Sequence, residues 1–460
     1  MFDQSTLNQL RSIVGPTNVL TDPSSLDIFS SDALSPDRAY GIEQELLTLP
    51  SAIVFPETTQ HTSQILKTCF FNEISVIPAG SGTGVMGGIT PPADSIILSM
   101  ANMNNFIALD AIGHSTTVEA GILLGTLNDQ LNKESFMIGH DPYSLNLASV
   151  GGAISTNGVG YTASRYGTMG DQVLALEIVL PDGTILPLRH TPTPSVGPDI
   201  SKFFIGSEGT LGVITKATIK VFPKPQSTHF ITLQFSDFQT GYDFFIKAYN
   251  SEFRPSLFEL NEVDEQSNMH LMYEGDATFT TAASNWVRNH MGPSTNIKSS
   301  NITREYWVTR HNSAVQYAQT ALHKKRKIKW SRNTNRLFEY LHISLPPSQV
   351  VHYKHVSTDI IQSHRLNVEE YCIWGKPDFF SMMLVPKNTS SASAKSDLTE
   401  AARALILLSC EMGGSIEYCH GIGIKLRDLL PNELGNSYDF LKTIKNNLDP
   451  KRIMNPNKYV

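Results

Sequence analysis

The chain has 460 residues, 40% of them hydrophobic and 17% charged, and its net charge is −7. That length holds two or three domains with full hydrophobic cores. The composition excludes wholesale disorder, collagen and coiled coil, and the acidic balance argues against general nucleic-acid binding. Residues Met1–Thr6 lack the basic start and apolar core of a secretory signal. The best apolar run, Ala404–Leu408, falls far short of the ~18 residues of a membrane helix. The four cysteines, Cys69, Cys372, Cys410 and Cys419, form no Cys-x-x-Cys pair. Zinc-ribbon and iron–sulfur spacings are therefore missing, and reduced thiols in a cytoplasmic compartment are expected.

Residues 1–45 read as an N-terminal helical segment with a polar loop. Ala52–Phe55 is a short apolar strand ended by Pro56, and Thr58 or Thr59 caps a helix facing inward with Ile65, Leu66, Cys69 and Phe70. Val76-Ile77-Pro78 then leads into a glycine-rich loop. Ile96–Leu98 and Thr117–Ala120 are strands. Leu176–Leu180 and Ile185-Leu186, joined through Asp182-Gly183, predict a β-hairpin, because Asp-Gly supplies positive φ. Ala217, Ile219 and Val221 alternate with Lys216, Thr218 and Lys220, as in a half-buried strand. Pro223-Lys224-Pro225 marks a domain boundary. Residues 227–410 mix strands and helices and hold a basic run, Lys324 to Arg336, without an acidic residue. The last segment contains Cys419-His420-Gly421-Ile422-Gly423 and a helix that Asp449-Pro450 stops at Leu448.

The glycine loop, Pro78 to Gly88, formally contains a GxGxxG at Gly82, Gly84 and Gly87. A dinucleotide fingerprint needs a helix to start there, but Pro91-Pro92 follow, so a Rossmann domain and a nicotinamide dehydrogenase are excluded. Five glycines between residues 80 and 88 instead let backbone N–H groups approach a pyrophosphate without Cβ clashes. Two further stretches, Ser149–Gly160 and Gly206–Val213, have the same small, hydroxyl-rich character.

In this order and spacing, the three stretches resemble the FAD-binding domain of the vanillyl-alcohol-oxidase or PCMH-type flavoproteins. The branch most similar is that of D-lactate dehydrogenase and the glycolate oxidase catalytic subunit. Arg165-Tyr166-Gly167, Leu180–Gly183, Trp307–Asn312, His420–Gly423, Asp449-Pro450 and Asn455-Pro456 extend the resemblance. It implies an α+β fold with a FAD-binding domain over 46–226 and an antiparallel-sheet substrate, or cap, domain over 227–410. A C-terminal segment, 411–460, would return to the flavin. Pro78, Ala79, Gly80, Ser81, Gly82, Thr83 and Gly84 would cradle the pyrophosphate. Asp141, Pro142, Ser149, Gly151, Gly152, Ser155, Thr156, Asn157, Gly158, Glu208, Gly209, Gly212, Val213 and Asn455 would follow the rest of the cofactor. Some members tether FAD through a histidine in the first loop or a cysteine in the second; residues 78–88 have neither and 142–160 have no cysteine, so noncovalent FAD is expected.

The resemblance further implies oxidation of a 2-hydroxy acid, with hydride leaving C2 for flavin N5. His420 would take the hydroxyl proton, since an imidazole of pKa about 6.5 suits a base at neutral pH. Trp307-x-x-Arg310 matches the segment that supplies a guanidinium to the substrate carboxylate. Close relatives also carry a divalent metal held by two histidines and a glutamate. Here Ile373 and Phe380 are expected in place of the histidines and Cys419 in place of the glutamate, so no metal is expected. Tyr340 and His342 are candidate substrate contacts. The electron acceptor would be a quinone, a cytochrome or an electron-transfer flavoprotein, and a homodimer is compatible. The basic run 324–336 is expected to be a solvated, mobile loop rather than a peripheral membrane contact. Two other readings stay open: flavin-dependent group transfer of the alkyl-dihydroxyacetone-phosphate-synthase kind, for whose phosphate the basic run is suited, and a non-catalytic flavin subunit of an oxidase complex.

Overall fold

The computed structural model describes residues 2–192, 195–331 and 336–459. The first layer is a four-stranded sheet of β1 (Val19–Leu20), β2 (Ala52–Val54), β3 (Val76–Ala79) and β4 (Ile96–Ser99), in the order β1-β2-β4-β3. β2, β4 and β3 run parallel, which requires a crossover. The helix Thr59–Asn72 supplies the one from β2 to β3, and the Thr58 side chain caps it by accepting from the His61 N–H. Ile65, Leu66 and Cys69 seat this helix on β2–β4. The N-terminal segment is built into the same layer. β1 pairs with β2, and Leu10 and Val14 of the helix Gln4–Val14 enter the same core.

Next come β5 (Phe106–Asp110), β6 (Ser115–Glu119), a short β7 (Phe136–Met137), β8 (Val173–Val179), β9 (Ile185–Leu188), β10 (Val213–Lys220) and a short β11 (Phe222–Pro223). Five of them form an antiparallel sheet, β5-β6-β10-β8-β9, while β7 and β11 pair separately. The expected β8–β9 hairpin is present, with Gly183 at φ +87°.

The cap domain is one antiparallel sheet of β12 (Ser227–Phe235), β13 (Leu257–Val263), β14 (Gln266–Gly275), β15 (Asn296–Lys298), β16 (Glu339–Ser344), β17 (Leu366–Trp374) and β18 (Phe379–Pro386), in the order β15-β12-β14-β13-β17-β18-β16. Helices 238–249, 277–290, 350–363 and 394–411 bury one face of it. Side chains alternate along a strand, so the other face is free to be polar. His342 lies opposite Ser381, Ser381 opposite Cys372, and Cys372 opposite Asn261. A neighbouring row runs from Trp374 through Glu259 to His270.

That alternation corrects one expectation. Ile373 and Phe380 are fully buried in the hydrophobic core and do not stand at cavity-facing positions. Their neighbours Trp374, in the cavity wall, and Ser381, bonded to His342, face the site. Neither is a histidine. Among the described residues, no three His, Cys, Asp or Glu side chains are grouped to hold a metal ion.

The basic run is not a solvated loop. Arg326–Ser331 is a short helix whose Arg326 and Lys329 are buried. Arg326 Nε donates to Asp27 Oδ1 at 2.8 Å and Nη1 to the Leu46 carbonyl at 2.6 Å. Lys329 Nζ donates to the carbonyls of Ile28 and Ser31 at 2.7 and 2.9 Å. Lys324, Lys325 and Lys327 are exposed, and residues 332–335, including Arg332, lie outside the described residues. Among the described residues no helix is long and apolar enough to cross a membrane.

Candidate active site

A cavity of about 770 Å³ runs from the glycine loop to the polar face of the cap sheet. Its floor is the loop after β3 and the start of the helix Val150–Ser155. The Ser149 side chain caps that helix by accepting from the Gly152 N–H. The two segments approach so closely that a Cβ on Gly80 would collide with Ser149 Oγ, and one on Gly151 would meet Ala120 Cβ at 2.8 Å. Side chains there would close the cradle. Asp32 fixes the loop from behind, its Oδ2 accepting from the Gly87 and Gly88 N–H groups at 2.8 and 3.1 Å. Burial holds the imidazole of His140 neutral, with its pKa down to about 4, and its buried Nδ1 has no hydrogen-bond partner among the described residues. A glycine-floored cavity of this size, with such an orphaned polar atom in its wall, fits a large dinucleotide such as FAD.

Every residue from Pro78 to Gly84 lines this cavity, as do Pro142, Ser149, Gly151, Gly152, Ser155, Thr156, Gly158, Glu208 and Gly209. Five expected cofactor contacts stand outside the lining. Asn157 has φ +49° and accepts from the Gly170 N–H. Gly212 precedes and Val213 starts β10, both packed on β8. Asn455 donates to the carbonyls of Gly88 and Glu208 at 3.1 and 2.7 Å, so it ties the chain terminus to the cradle. Asp141 is engaged by Arg310 and His311. Glu208 has a second task, because its buried carboxylate accepts from the Ile422 and Gly423 N–H groups at 2.7 and 3.0 Å. It thereby holds the turn after His420, where Gly421 and Gly423 adopt φ of +77° and +51°.

His420 and His342 meet in the cavity wall, edge to face, with ring centroids 4.7 Å apart. Their charges differ. Burial opposes the His420 imidazolium, but Cys419 and the Glu417 carboxylate, 3.7 Å from Nδ1, outweigh it and raise its pKa. Burial lowers His342 well below 6.5, and the positive charges of His420, Arg38 and Lys425 act in the same direction. His342 Nδ1 is 2.8 Å from Ser381 Oγ, which bonds the Tyr418 hydroxyl in turn, so the ring is fixed. Beyond His342 the wall is aromatic and acidic. Tyr340 donates to Glu370 and Tyr306 to Glu259, at 2.8 and 2.6 Å, and burial raises both carboxyls, Glu259 to about 7.

Arg310 is placed elsewhere than expected. It does not line the cavity. Its Nε donates to Asp141 Oδ2 at 2.8 Å, Nη1 bonds the Trp307 carbonyl, and the guanidinium stacks on the Trp307 ring. Among the described residues, the arginine and lysine in the wall are Arg38 and Lys425, which the sequence reading missed. Glu339 accepts from Arg38 Nη2 at 2.6 Å and from Lys425 Nζ at 2.9 Å. Lys425 follows His420 by five residues, a hint available in the sequence. Nothing local to Arg38 connects it with a strand some 300 residues away.

Comparison with known proteins agrees with this geometry. Residues 50–189 match the family model of the FAD binding domain, and residues 224–459 that of the C-terminal domain of FAD linked oxidases. The mitochondrial D-lactate dehydrogenase (cytochrome) 1 of Saccharomyces cerevisiae is 30% identical over 437 residues, 89% of this chain and 72% of that protein. Glycolate oxidase subunit GlcD of Bacillus subtilis is 24% identical over 481 aligned positions, 100% of this chain and 97% of that protein. Among solved structures, an alkyldihydroxyacetonephosphate synthase superposes with a TM-score of 0.79 at 17% identity, covering 100% of this chain and 86% of the other. A substrate-bound p-cresol methylhydroxylase gives 0.75 at 16%, covering 99% and 96%.

Proposed function

The chain belongs to the FAD-linked oxidases, and from that premise we propose that it oxidises a 2-hydroxy acid of the D-lactate or glycolate kind. The observation that carries this reading is the pair of histidines, 4.7 Å apart, in a cavity continuous with the glycine cradle. Bound FAD supplies the hydride acceptor. The residues of this chain must then manage one proton and one carboxylate. His342 is neutral and fixed by Ser381, so it is the group able to receive the hydroxyl proton. His420, cationic beside Glu417, stabilises the oxygen as it becomes an alkoxide. The base expected at His420 is thus divided between two rings, and environments that push two titratable groups apart support separate acid and base roles.

Group transfer on a phosphate-bearing substrate has less support. In the basic run that suited a phosphate, Arg326 and Lys329 are bound to Asp27 and to the carbonyls of residues 28, 31 and 46, and neither lines the cavity. A non-catalytic subunit would not need two opposed histidines in the cavity wall. The test is anaerobic addition of D- and L-2-hydroxy acids to the FAD-loaded protein. Bleaching of the flavin absorbance by at least one of them is expected. A flavin that stays oxidised across the series overturns the reading.

A further inference from the structure

We propose that Arg38 and Lys425, clasped by Glu339, form the receptor for the substrate's carboxylate, and that this receptor is matched to a single negative charge. The inference rests on the reading of the cavity as a hydroxy-acid site. All three side chains line the cavity. Glu339 and Lys425 are 2% and 3% exposed at their side chains, and Arg38 is 17% exposed. Glu339 holds the two cations together against their mutual repulsion. Its carboxylate stays ionised, with a pKa down to about 2, because Arg38 and Lys425 outweigh the effect of burial. Two cations and one carboxylate leave one positive charge. Beside the receptor, His420 and the Glu417 carboxylate, 3.7 Å apart, offset each other.

A buried net charge is costly unless a counter-charge arrives. Arg38 is also incompletely bonded: its Nε is buried and has no hydrogen-bond partner among the described residues. The Nε edge of a guanidinium, with one Nη, presents two parallel donors, the arrangement that accepts a carboxylate side-on. The receptor stands next to the chemistry, since the positive charges of Arg38 and Lys425 both act on His342. Arg310 is engaged by Asp141 and lies outside the cavity lining. A carboxylate brings the receptor to neutrality. A phosphate dianion would overshoot by one charge beside Glu339 and Glu417.

The experiment uses 2-hydroxy-2-methylpropanoate, which has the carboxylate and the hydroxyl but no hydrogen at C2 and so cannot be oxidised. Its binding to FAD-loaded protein is measured by calorimetry at neutral pH. The parent is expected to bind it, and Arg38→Met and Lys425→Met to weaken it by at least about tenfold each with FAD content unchanged. Arg38→Lys keeps the pairing with Glu339, so it folds even if Arg38→Met does not. It is expected to lose about tenfold for want of the fork. Glu339→Gln raises the receptor's charge to +2 and is expected to let inorganic phosphate compete with the probe, which it does not do in the parent. Probe affinity at the parental level in the Arg38 and Lys425 variants overturns the proposal, as does a parent that fails to bind the probe or that prefers phosphate. Arg38-dependent binding in a protein whose flavin never bleaches would sink the oxidation alone. Bleaching with unaltered probe binding in the variants would sink the receptor alone.

Discussion

At neutral pH the two histidines of the cavity hold different proton loads, because their neighbours differ. His420 sits beside a carboxylate; His342 is enclosed with three positive charges acting on it. This makes the pH profile of flavin reduction diagnostic. If His342 accepts the proton, the rate is flat through neutrality and falls only in acid, as the ring becomes protonated well below pH 6.5. If His420 were the base, with a pKa raised to about 10, the rate would instead climb with pH up to that value. Stopped-flow reduction between pH 5 and 10 separates the two. His342→Asn is expected to slow reduction by about 10²–10⁴-fold, the usual worth of a general base, and to leave FAD bound. Parental rates in that variant would remove His342 from the mechanism.

Among the elements, the helix Arg326–Ser331 shows how a charge run is misread when only its composition is visible. Seven cations from Lys324 to Arg336 look like a solvated patch, yet Arg326 and Lys329 point inward and close the polar loop of residues 27–48. Burial lowers Lys329 to about 8, and the nearby Asp32 and Asp27 carboxylates oppose that shift. Lys329→Met strips two carbonyls of their donor and is expected to cost about 1–3 kcal/mol. Replacing the exposed Lys324, Lys325 and Lys327 by glutamine should change stability by no more than about 0.5 kcal/mol. Thermal unfolding of both proteins checks this, and equal midpoints would show that Lys329 is no clasp.

At the scale of the whole molecule, the cavity is made by joining a FAD-binding half to a cap, with the chain terminus as a third wall. Met454 bridges to Val76, and buried Lys445 holds Asp449 and the carbonyls of Thr210 and Met454. The cavity is thus closed by three parts of the chain. Acid precipitation is expected to release all flavin as FAD, and flavin left on the precipitate would contradict the loops' lack of a tether. Exhaustive chelation is expected to leave activity intact. Activity lost on removal of a stoichiometric divalent ion would show a metal site that the residues at 374, 381 and 419 do not suggest.

What the sequence determined by itself is the cofactor half. Glycine spacing, the Asp-Gly hairpin and the Thr58 cap are local, because a backbone that must approach a phosphate or take positive φ restricts its own residues. The diproline after Gly88 was enough to exclude a Rossmann helix for the same reason. The substrate half was decided by tertiary structure. Whether residue 373 or 374 faces the cavity depends on strand register, and a shift of one residue exchanges core for site. The charges of Arg38, Glu339 and Lys425 acquire meaning only when a loop, a cap strand and the C-terminal segment converge. Arg310 is held by Asp141, a partner 169 positions away. Local backbone chemistry is written in consecutive residues. The electrostatics of a buried site is a sum over whatever the fold brings together.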